Sequence, residues 1–268
     1  MGDKMKRIFD NISLYFSFLS IALREILIYR IDCIVGVFSQ CIVELVSLIF
    51  LFIVFQNTGD IAGWNFGQIL LLYGITQIPI GISKYCFDAL YDLGPRYIKN
   101  GTFDKILLRP VHPLISIIGS SRDFTGIASV FIGIAITICM LIQLSIPITA
   151  ILILKIIFFS IVGVFIVGAI NTICSFSSFW TYRSNEVIWS FYRMYTFTEY
   201  PITIYNKFIR IVITVILPYA FVAYYPTMDY LGLNTYMLYL SPIVAVVLWV
   251  IAVKLWDLAL NKYRSTGS

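Results

Sequence analysis

The sequence predicts an all-α integral membrane protein, and its composition is the first reason. Of its 268 residues, 60% are hydrophobic and 12% are charged, against about 45–50% and 25% in soluble globular domains. Its mean hydropathy is +0.90. A single aqueous core stops growing near about 250–300 residues, so it cannot enclose this much apolar surface. The composition therefore excludes a soluble enzyme, a disordered protein and a disulfide scaffold.

The first predicted element is an amphipathic helix over residues 3–30. Polar residues recur there every three or four positions and form a stripe down one helical face: Lys6, Asp10, Ser13, Ser17, Ser20 and Arg24. Such a helix is expected to lie in the membrane interface with its stripe toward the cytosol. A signal peptide is the alternative, but the apolar part is striped rather than continuous and no obvious cleavage site follows.

Two membrane spans are predicted next, since a span needs about 20 apolar residues. The first covers residues 33–55 and is interrupted only by Glu44. The second covers residues 66–93 and is expected to continue past its apolar part into water. Gly94-Pro95 should end it, because proline removes a helix donor and restricts the residue before it.

The loop over residues 95–110 is predicted to contain a short cytoplasmic helix. Thr102 is a plausible N-cap and Pro110 a plausible stop, which gives about two turns over 101–109. One side of this helix would be apolar (Phe103, Ile106, Leu107) and the other charged (Asp104, Lys105, Arg109). An ordinary solvated loop is the alternative, but this arrangement suits an element that docks on a cytoplasmic partner.

Four more spans complete the prediction. Between Asp123 and Lys155 lie 31 uncharged residues, too many for one span. Ser145-Ile146-Pro147 offers a turn that divides them. The fifth segment contains Pro218 and is less regular than the sixth. The four predicted spans cover residues 124–144, 148–174, 208–225 and 230–253.

The basic residues orient this six-span arrangement. Lys and Arg concentrate on the cytoplasmic side of membrane proteins. With both termini inside, 18 of the 19 basic residues fall on one side. Only Lys155 lies toward the other face, where it could snorkel outward. The predicted outer loops, 56–65, 145–147 and 226–229, contain no Lys or Arg.

Polar residues inside the predicted spans are candidates for a substrate pathway. Glu44 lies near the middle of the first span, where a carboxylate is unfavourable and usually faces protein or water. Gln77 lies at a similar depth and is its candidate partner, while Tyr73 and Asn171 are further pathway candidates. A structural role, in which Glu44 joins helices through hydrogen bonds, is equally compatible with the sequence. With one histidine and no CxxC pair, no metal site is predicted.

A family resemblance rests on two stretches of the chain. Residues 98–113, IKNGTFDKILLRPVHP, resemble the I-x-x-G-x-x-D-x-x-L-L-R-P loop of six-span permeases of bacterial ABC exporters, the type V exporters. Residues 199–205, 215–221 and 225–226 supply a second, supporting match. With the amphipathic start and the span count, the resemblance covers essentially the whole chain.

The resemblance implies a permease subunit of the bacterial cytoplasmic membrane. In that family the loop is a coupling helix that docks on an ATPase. It would carry over here as an ATPase-facing surface that includes Arg96, Lys99, Gly101, Phe103, Asp104, Ile106, Leu107 and Arg109. The chain has no G-x-x-x-x-G-K-[ST] phosphate loop, so ATP and Mg²⁺ would be bound by a separate ATPase dimer. A second permease chain, identical or a sister, is also implied.

Three functions follow as hypotheses. The first is the permease of an ATP-driven exporter for an amphipathic lipid, drug or peptide. The second is an ATP-independent carrier, which would show inverted repeats and broken helices with ion ligands at the midplane. The third is a membrane-embedded lipid-modifying enzyme, which would need clustered catalytic residues. No such cluster is evident, and intramembrane enzyme chemistry has little support.

Overall fold

The computed structural model describes residues 30–120, 123–181, 184–233 and 236–263. The predicted interfacial helix at 3–30 lies outside the described residues except for Arg30, which begins the first membrane helix. No strand forms within these ranges; one isolated β-bridge joins Ile61 and Trp64. The described chain is an all-α membrane protein, with five helices long and apolar enough to cross a membrane and a sixth candidate in a bent helix pair.

Eleven α-helices are assigned in the described ranges. They are α1 Arg30–Thr58, α2 Phe66–Phe87, α3 Phe103–Leu107, α4 Pro113–Ile118, α5 Thr125–Gln143, α6 Ala150–Ser175, α7 Ser178–Thr181, α8 Ser184–Tyr195, α9 Lys207–Ile211, α10 Tyr224–Tyr230 and α11 Ser241–Lys262. Shorter 3₁₀ turns occur at Asp88–Leu90, Thr196–Glu199, Ile202–Ile204, Tyr219–Phe221 and Tyr236–Leu240, and π-helical turns at Leu93–Ile98 and Val212–Ile216.

Local sequence signals explain where the first membrane helices begin and end. Asn65 forms a capping box with Gln68 at the start of α2, and the Thr149 hydroxyl accepts a hydrogen bond from the Leu152 amide at the start of α6. The turn between α5 and α6 includes Ser145, whose φ is +54°. The long uncharged stretch is therefore divided where the turn was predicted. We call the end of the bundle that carries this turn the outer end, following the charge prediction.

Helices α2 and α5 form the tightest contact in the bundle. A Cβ on Gly81 would lie 2.3 Å from the Gly126 carbonyl oxygen, and a Cβ on Gly133 would lie 2.8 Å from the Gly74 carbonyl oxygen. Membrane helices pack this closely only where small residues let the backbones approach. The seven-residue spacing of each glycine pair keeps both contacts on one helical face.

The second span differs from its prediction at the inner end. The α-helix ends at Phe87 rather than Leu93. Gly94 and Pro95 do not break a helix there, because they lie within the π-helical turn Leu93–Ile98. Leu90, Leu93 and Ile98 are fully buried, so this part of the chain packs into the protein instead of extending into water.

Residues 208–225 do not form the single straight span that was predicted. The helical segments Lys207–Ile216 and Tyr219–Tyr230 meet at an angle of 73°, with Pro218 at the bend. Ile213 on the first arm and Tyr230 on the second both belong to the hydrophobic cluster at the outer end, which also contains Trp64. The bend itself, with Leu217, packs into a second hydrophobic cluster, which also contains Phe103 and Trp256 and which we call the inner cluster.

Contacts with α6 establish the depth of this hairpin. Asp229 forms an ion pair of 2.7 Å with Lys155, near the outer end of α6. Val222, next to the bend, lies against Gly163, which is two turns deeper. Residues 207–230 therefore enter from the outer end, turn near the middle of the membrane and return, and we call them the re-entrant hairpin. The predicted outer loop at 226–229 is part of its second arm.

The fifth crossing is made instead by residues 184–206. Ile188 in α8 is buried in the inner cluster, the Tyr195 hydroxyl donates to the Thr76 carbonyl at mid-depth (3.0 Å), and Ile202 packs in the outer cluster. Six crossings therefore remain. Lys207 and Arg210 move to the outer end, which leaves 16 of the 19 basic residues on the predicted cytoplasmic side.

The sixth span begins later than predicted. Residue 230 ends the hairpin, and the final apolar helix covers Tyr236–Lys262. Its inner end is fixed by aromatic contacts, since Trp256 packs edge-on against Phe179 at 5.5 Å between ring centroids.

Candidate functional site

Glu44 is the centre of a polar cluster inside the membrane. Its side chain is only 3% exposed. It accepts hydrogen bonds from Gln40 Nε2 and Ser129 Oγ, both at 2.8 Å, and from the Tyr73 hydroxyl. These partners lie on α1, α5 and α2, so one carboxylate joins three membrane helices.

Lys84 extends the cluster toward the inner end. Its Nζ donates to Gln40 Oε1 at 3.4 Å and lies 5.6 Å from the centre of the Tyr192 ring, within the range of a cation–π contact. The Lys84 side chain is half-buried. A positive charge therefore lies within the span, held by an amide and an aromatic face.

Gln77 does not pair with Glu44, which corrects the prediction. Its Nε2 instead donates to Glu199 Oε1 at 3.5 Å. Glu199 lies on the broken fifth crossing, where the 3₁₀ turn Thr196–Glu199 packs against α2. The predicted spans leave residues 175–207 in a cytoplasmic loop. Glu199 was therefore not among the residues predicted to lie in the membrane.

Together these groups form one continuous feature, which we call the polar seam. Tyr73, Gln77 and Lys84 are four and seven residues apart, which places them on one face of α2. The members of the seam are Gln40, Glu44, Tyr73, Gln77, Lys84, Ser129 and Glu199. Two carboxylates, one ammonium group and several amide and hydroxyl groups thus face each other between α1, α2, α5 and the fifth crossing.

Asn171, the remaining pathway candidate, is not part of the seam. It is buried (2% exposed) and hydrogen-bonds the Tyr91 side chain. Tyr91 in turn packs against Trp189 of α8 at 5.7 Å between ring centroids. Asn171 therefore belongs to the contact between α6 and the inner turns that follow α2.

The short helix predicted in the loop over residues 95–110 is present, but it is shorter than expected. Helix α3 has five residues rather than two full turns. Thr102 does not cap it, because its hydroxyl donates to the carbonyl oxygens of Arg96 (3.0 Å) and Tyr97 (3.2 Å). Gly101 has a φ of +67°, a conformation that favours glycine and that turns the chain into α3.

Two residues of this helix cannot face a partner as predicted. Phe103 is 0% exposed and Ile106 is 4% exposed. The Phe103 ring packs edge-on against Phe179 at 5.6 Å and Tyr263 at 4.9 Å, and the Tyr263 hydroxyl donates to Asp104 Oδ1 at 3.0 Å. These residues anchor α3 to α7 and to the end of α11.

The exposed part of the loop is a different set of residues. Leu107 is 41% exposed and Leu108 is 86% exposed, and four basic residues of the same loop are exposed as well. We define the coupling surface as Arg96, Lys99, Lys105, Leu107, Leu108 and Arg109. Leu108 was missed because a two-turn helix would place it beside Asp104 and Lys105, on the side that was predicted to be charged. Since α3 ends at Leu107, Leu108 points outward.

Comparison with known proteins gives one match. A family model for ABC-2 family transporter proteins matches residues 41–267. The matched region includes the re-entrant hairpin, the coupling surface and every seam residue except Gln40. No curated protein and no solved structure matches the chain.

Proposed function

Because the chain belongs to the ABC-2 transporter family and is a multi-pass membrane permease component of an ABC transporter, we propose that it exports an amphipathic substrate across the cytoplasmic membrane. In this proposal a separate ATPase dimer binds ATP and Mg²⁺, and this chain converts ATPase motion into movement of the membrane helices. The observation that carries the proposal is the exposed coupling surface together with the buried residues Phe103 and Ile106, which anchor α3 to the bundle.

The anchoring of α3 to α7 and α11 explains how motion would pass from the ATPase to the membrane. Leu108 is the most exposed apolar side chain of the loop, whereas Phe103, at the start of the adjoining helix α3, is fully buried. A push on Leu108 would therefore be delivered through Phe103 to Phe179 and Tyr263, and so to the inner ends of α7 and α11. The four bases of the coupling surface favour an acidic rim on the partner.

A second permease chain is supported by the seam. Gln40, Lys84 and Glu199 are half-buried, so part of each polar group meets whatever lies outside this chain. A charged group at this depth almost always faces protein or a water-filled cavity rather than lipid. Two copies, or a copy and a sister chain, would cover this opening and place two seams across a shared pathway.

Such a pathway suits an amphipathic substrate. Polar seam groups would hold its headgroup, while the apolar faces of α1 and the hairpin would accompany its apolar part. Lipids, drugs and peptides all meet this description.

Replacing Leu108 by aspartate tests ATPase docking. Burying a leucine-sized side chain contributes about 1.5–3 kcal/mol, and a carboxylate in its place would be unpaired in the contact. We expect Leu108→Asp to weaken recovery of the ATPase with the purified permease at least about tenfold and to abolish substrate-stimulated ATP hydrolysis.

The matched control is Leu233→Asp. Leu233 is also exposed (46%) but lies at the outer end, after the hairpin. It should leave ATPase recovery unchanged. Normal recovery and stimulation with Leu108→Asp would show that this loop is not the coupling element.

A further inference from the structure

An apolar groove runs between α6 and α11 on the membrane-facing side of the bundle. It has a volume of about 780 Å³. The α6 wall consists of Phe158, Ile161, Val162 and Phe165, and the α11 wall includes Ala245, Val246, Trp249 and Val253. The Trp249 indole is fixed in the groove because its Nε1 donates to the Phe165 carbonyl at 2.9 Å.

The length of the groove is close to the thickness of one leaflet. It extends from Pro242 to Lys254 along α11, which at 1.5 Å per residue is about 18 Å. Half of a hydrocarbon core about 30 Å thick is about 15 Å. Trp256 and Tyr263, further along the same helix, pack against α7 and α3 at the inner end. On α6, Phe158 lies one turn from Lys155 at the outer end and Phe165 lies beside Gly163 at mid-depth. The groove therefore crosses the middle of the membrane, and its inner end, at Lys254, lies in the cytoplasmic half.

One charged side chain stands at the inner end of the groove. Lys254 lines it, and it has no hydrogen-bond or ion-pair partner among the described residues. The acid one turn further along, Asp257, is directed to His112 at 3.5 Å. Lysine near the end of a membrane helix extends its ammonium group to the headgroup region.

We propose that this groove binds one anionic phospholipid of the cytoplasmic leaflet, with an acyl chain along Phe165 and Trp249 and the headgroup phosphate at Lys254. The unpaired cation at the headgroup level argues for a lipid rather than for a second copy of the chain. A protein partner here would have to supply an acid at the membrane boundary, and the walls of the groove above Lys254 offer no polar group for it.

Quenching of Trp249 by brominated lipids tests the proposal. The purified full-length chain is reconstituted in phosphatidylcholine vesicles that contain increasing fractions of phosphatidylglycerol or phosphatidylcholine with dibrominated tails. The Trp249 signal is the difference from Trp249→Phe, since four other tryptophans are present. One lysine near an anionic surface is worth a preference of about fivefold. Brominated phosphatidylglycerol should therefore quench Trp249 at about fivefold lower mole fraction.

Variants of two lysines on the same helix give the control. Lys254→Ala should abolish the preference, Lys254→Arg should keep it, and Lys262→Ala, which lies two turns further on and outside the groove, should also keep it. Equal quenching by the two lipids in the wild-type chain would overturn the proposal, as would equal loss in Lys262→Ala. Absence of quenching by either lipid would overturn it too, because it would mean that protein covers the groove.

Discussion

Helices α1 and α2 are consecutive membrane helices with opposite environments. In the most apolar 18 residues of α1, 11% are buried, against 78% of the corresponding 18 residues in the stretch Phe66–Ile98, which comprises α2 and the turns that follow it. Between Cys33 and Phe55, helix α1 is apolar at every exposed position except Ser39, and the helix buries Glu44 and Leu51. Helix α2 carries Thr76, Gln77 and Ser83, all buried among other helices.

The difference shows that hydropathy measures whether a helix can enter the membrane and does not indicate what it meets there. A helix surrounded by protein can carry polar groups, because its neighbours supply hydrogen-bond partners. A helix that faces lipid cannot, because lipid offers none. The more polar of the two helices is therefore the one at the centre of the bundle.

The largest expected effect is at the closest backbone contact of α2. Gly81→Ala would place a Cβ 2.3 Å from the Gly126 carbonyl oxygen, and a backbone atom cannot yield as a flexible side chain can. We expect α2 and α5 to be forced apart at a cost of about 3 kcal/mol. The measurement is the temperature at which half of the detergent-purified protein loses its monodisperse peak.

The matched change on α1 is Gly36→Ala. Its Cβ would meet only the Thr125 methyl group, at 3.2 Å, which can rotate away. This variant should stay within about 0.5 kcal/mol of wild type. Equal losses in the two variants would remove the distinction between a central and a peripheral helix.

A smaller effect is expected at Glu44, the point where α1 joins the centre. Glu44→Leu would remove the hydrogen bonds that Gln40, Tyr73 and Ser129 donate to the Glu44 carboxylate. At about 0.6 kcal/mol for an average interhelical hydrogen bond in a membrane protein, three such losses amount to about 2 kcal/mol. Thermal stability in detergent is the measurement.

Glu44→Gln separates polarity from charge. It keeps an acceptor oxygen and should lose less than half as much stability. The exposed neighbour Val43 (54% exposed) provides the control, since Val43→Leu should be neutral. If Glu44→Gln is stable but alters transport, the charge contributes to the pathway. Normal stability in Glu44→Leu would contradict the structural role of this joint.

Much of the fold could be predicted from the sequence because span length and charge bias are local or additive properties. The fifth crossing could not be predicted, because its helices are short and interrupted around Pro201. The more apolar residues 207–230 have the hydropathy of a span and were therefore chosen instead. The seam was half-predicted: Glu44, Tyr73 and Gln77 stand out within apolar runs, whereas Glu199 reaches them only through the corrected topology.

The coupling loop shows the same limit at a smaller scale. The resemblance and the Gly and Pro positions located a short helix, but amphipathicity alone could not say which side is covered. Phe103 and Ile106 are buried and anchor the helix within this chain, whereas Leu108, equally apolar, is exposed. Only the contacts with Phe179 and Tyr263 distinguish the two cases.

The smallest effect is expected on the exposed face of α1, where the contrast with a buried position of α2 is greatest. Ile49 is 56% exposed and Ile75 of α2 is 2% exposed. For Ile75→Ala we expect a loss of about 2 kcal/mol, the low end of the range for truncating a buried isoleucine to alanine. For Ile49→Ala in the isolated chain we expect a loss below about 0.5 kcal/mol. Detergent covers the exposed side chain at position 49 in both the wild type and the variant.

The assembled transporter gives the decisive second measurement. If a second permease chain packs on α1, Ile49→Ala should remain neutral in the isolated chain and become destabilising in the complex, where it would lower the temperature at which the two permease chains dissociate. If lipid covers this face, the variant should be neutral in both. A loss at Ile49 as large as at Ile75 in the isolated chain would show that α1 is packed against its own bundle, and the contrast between the two helices would fail.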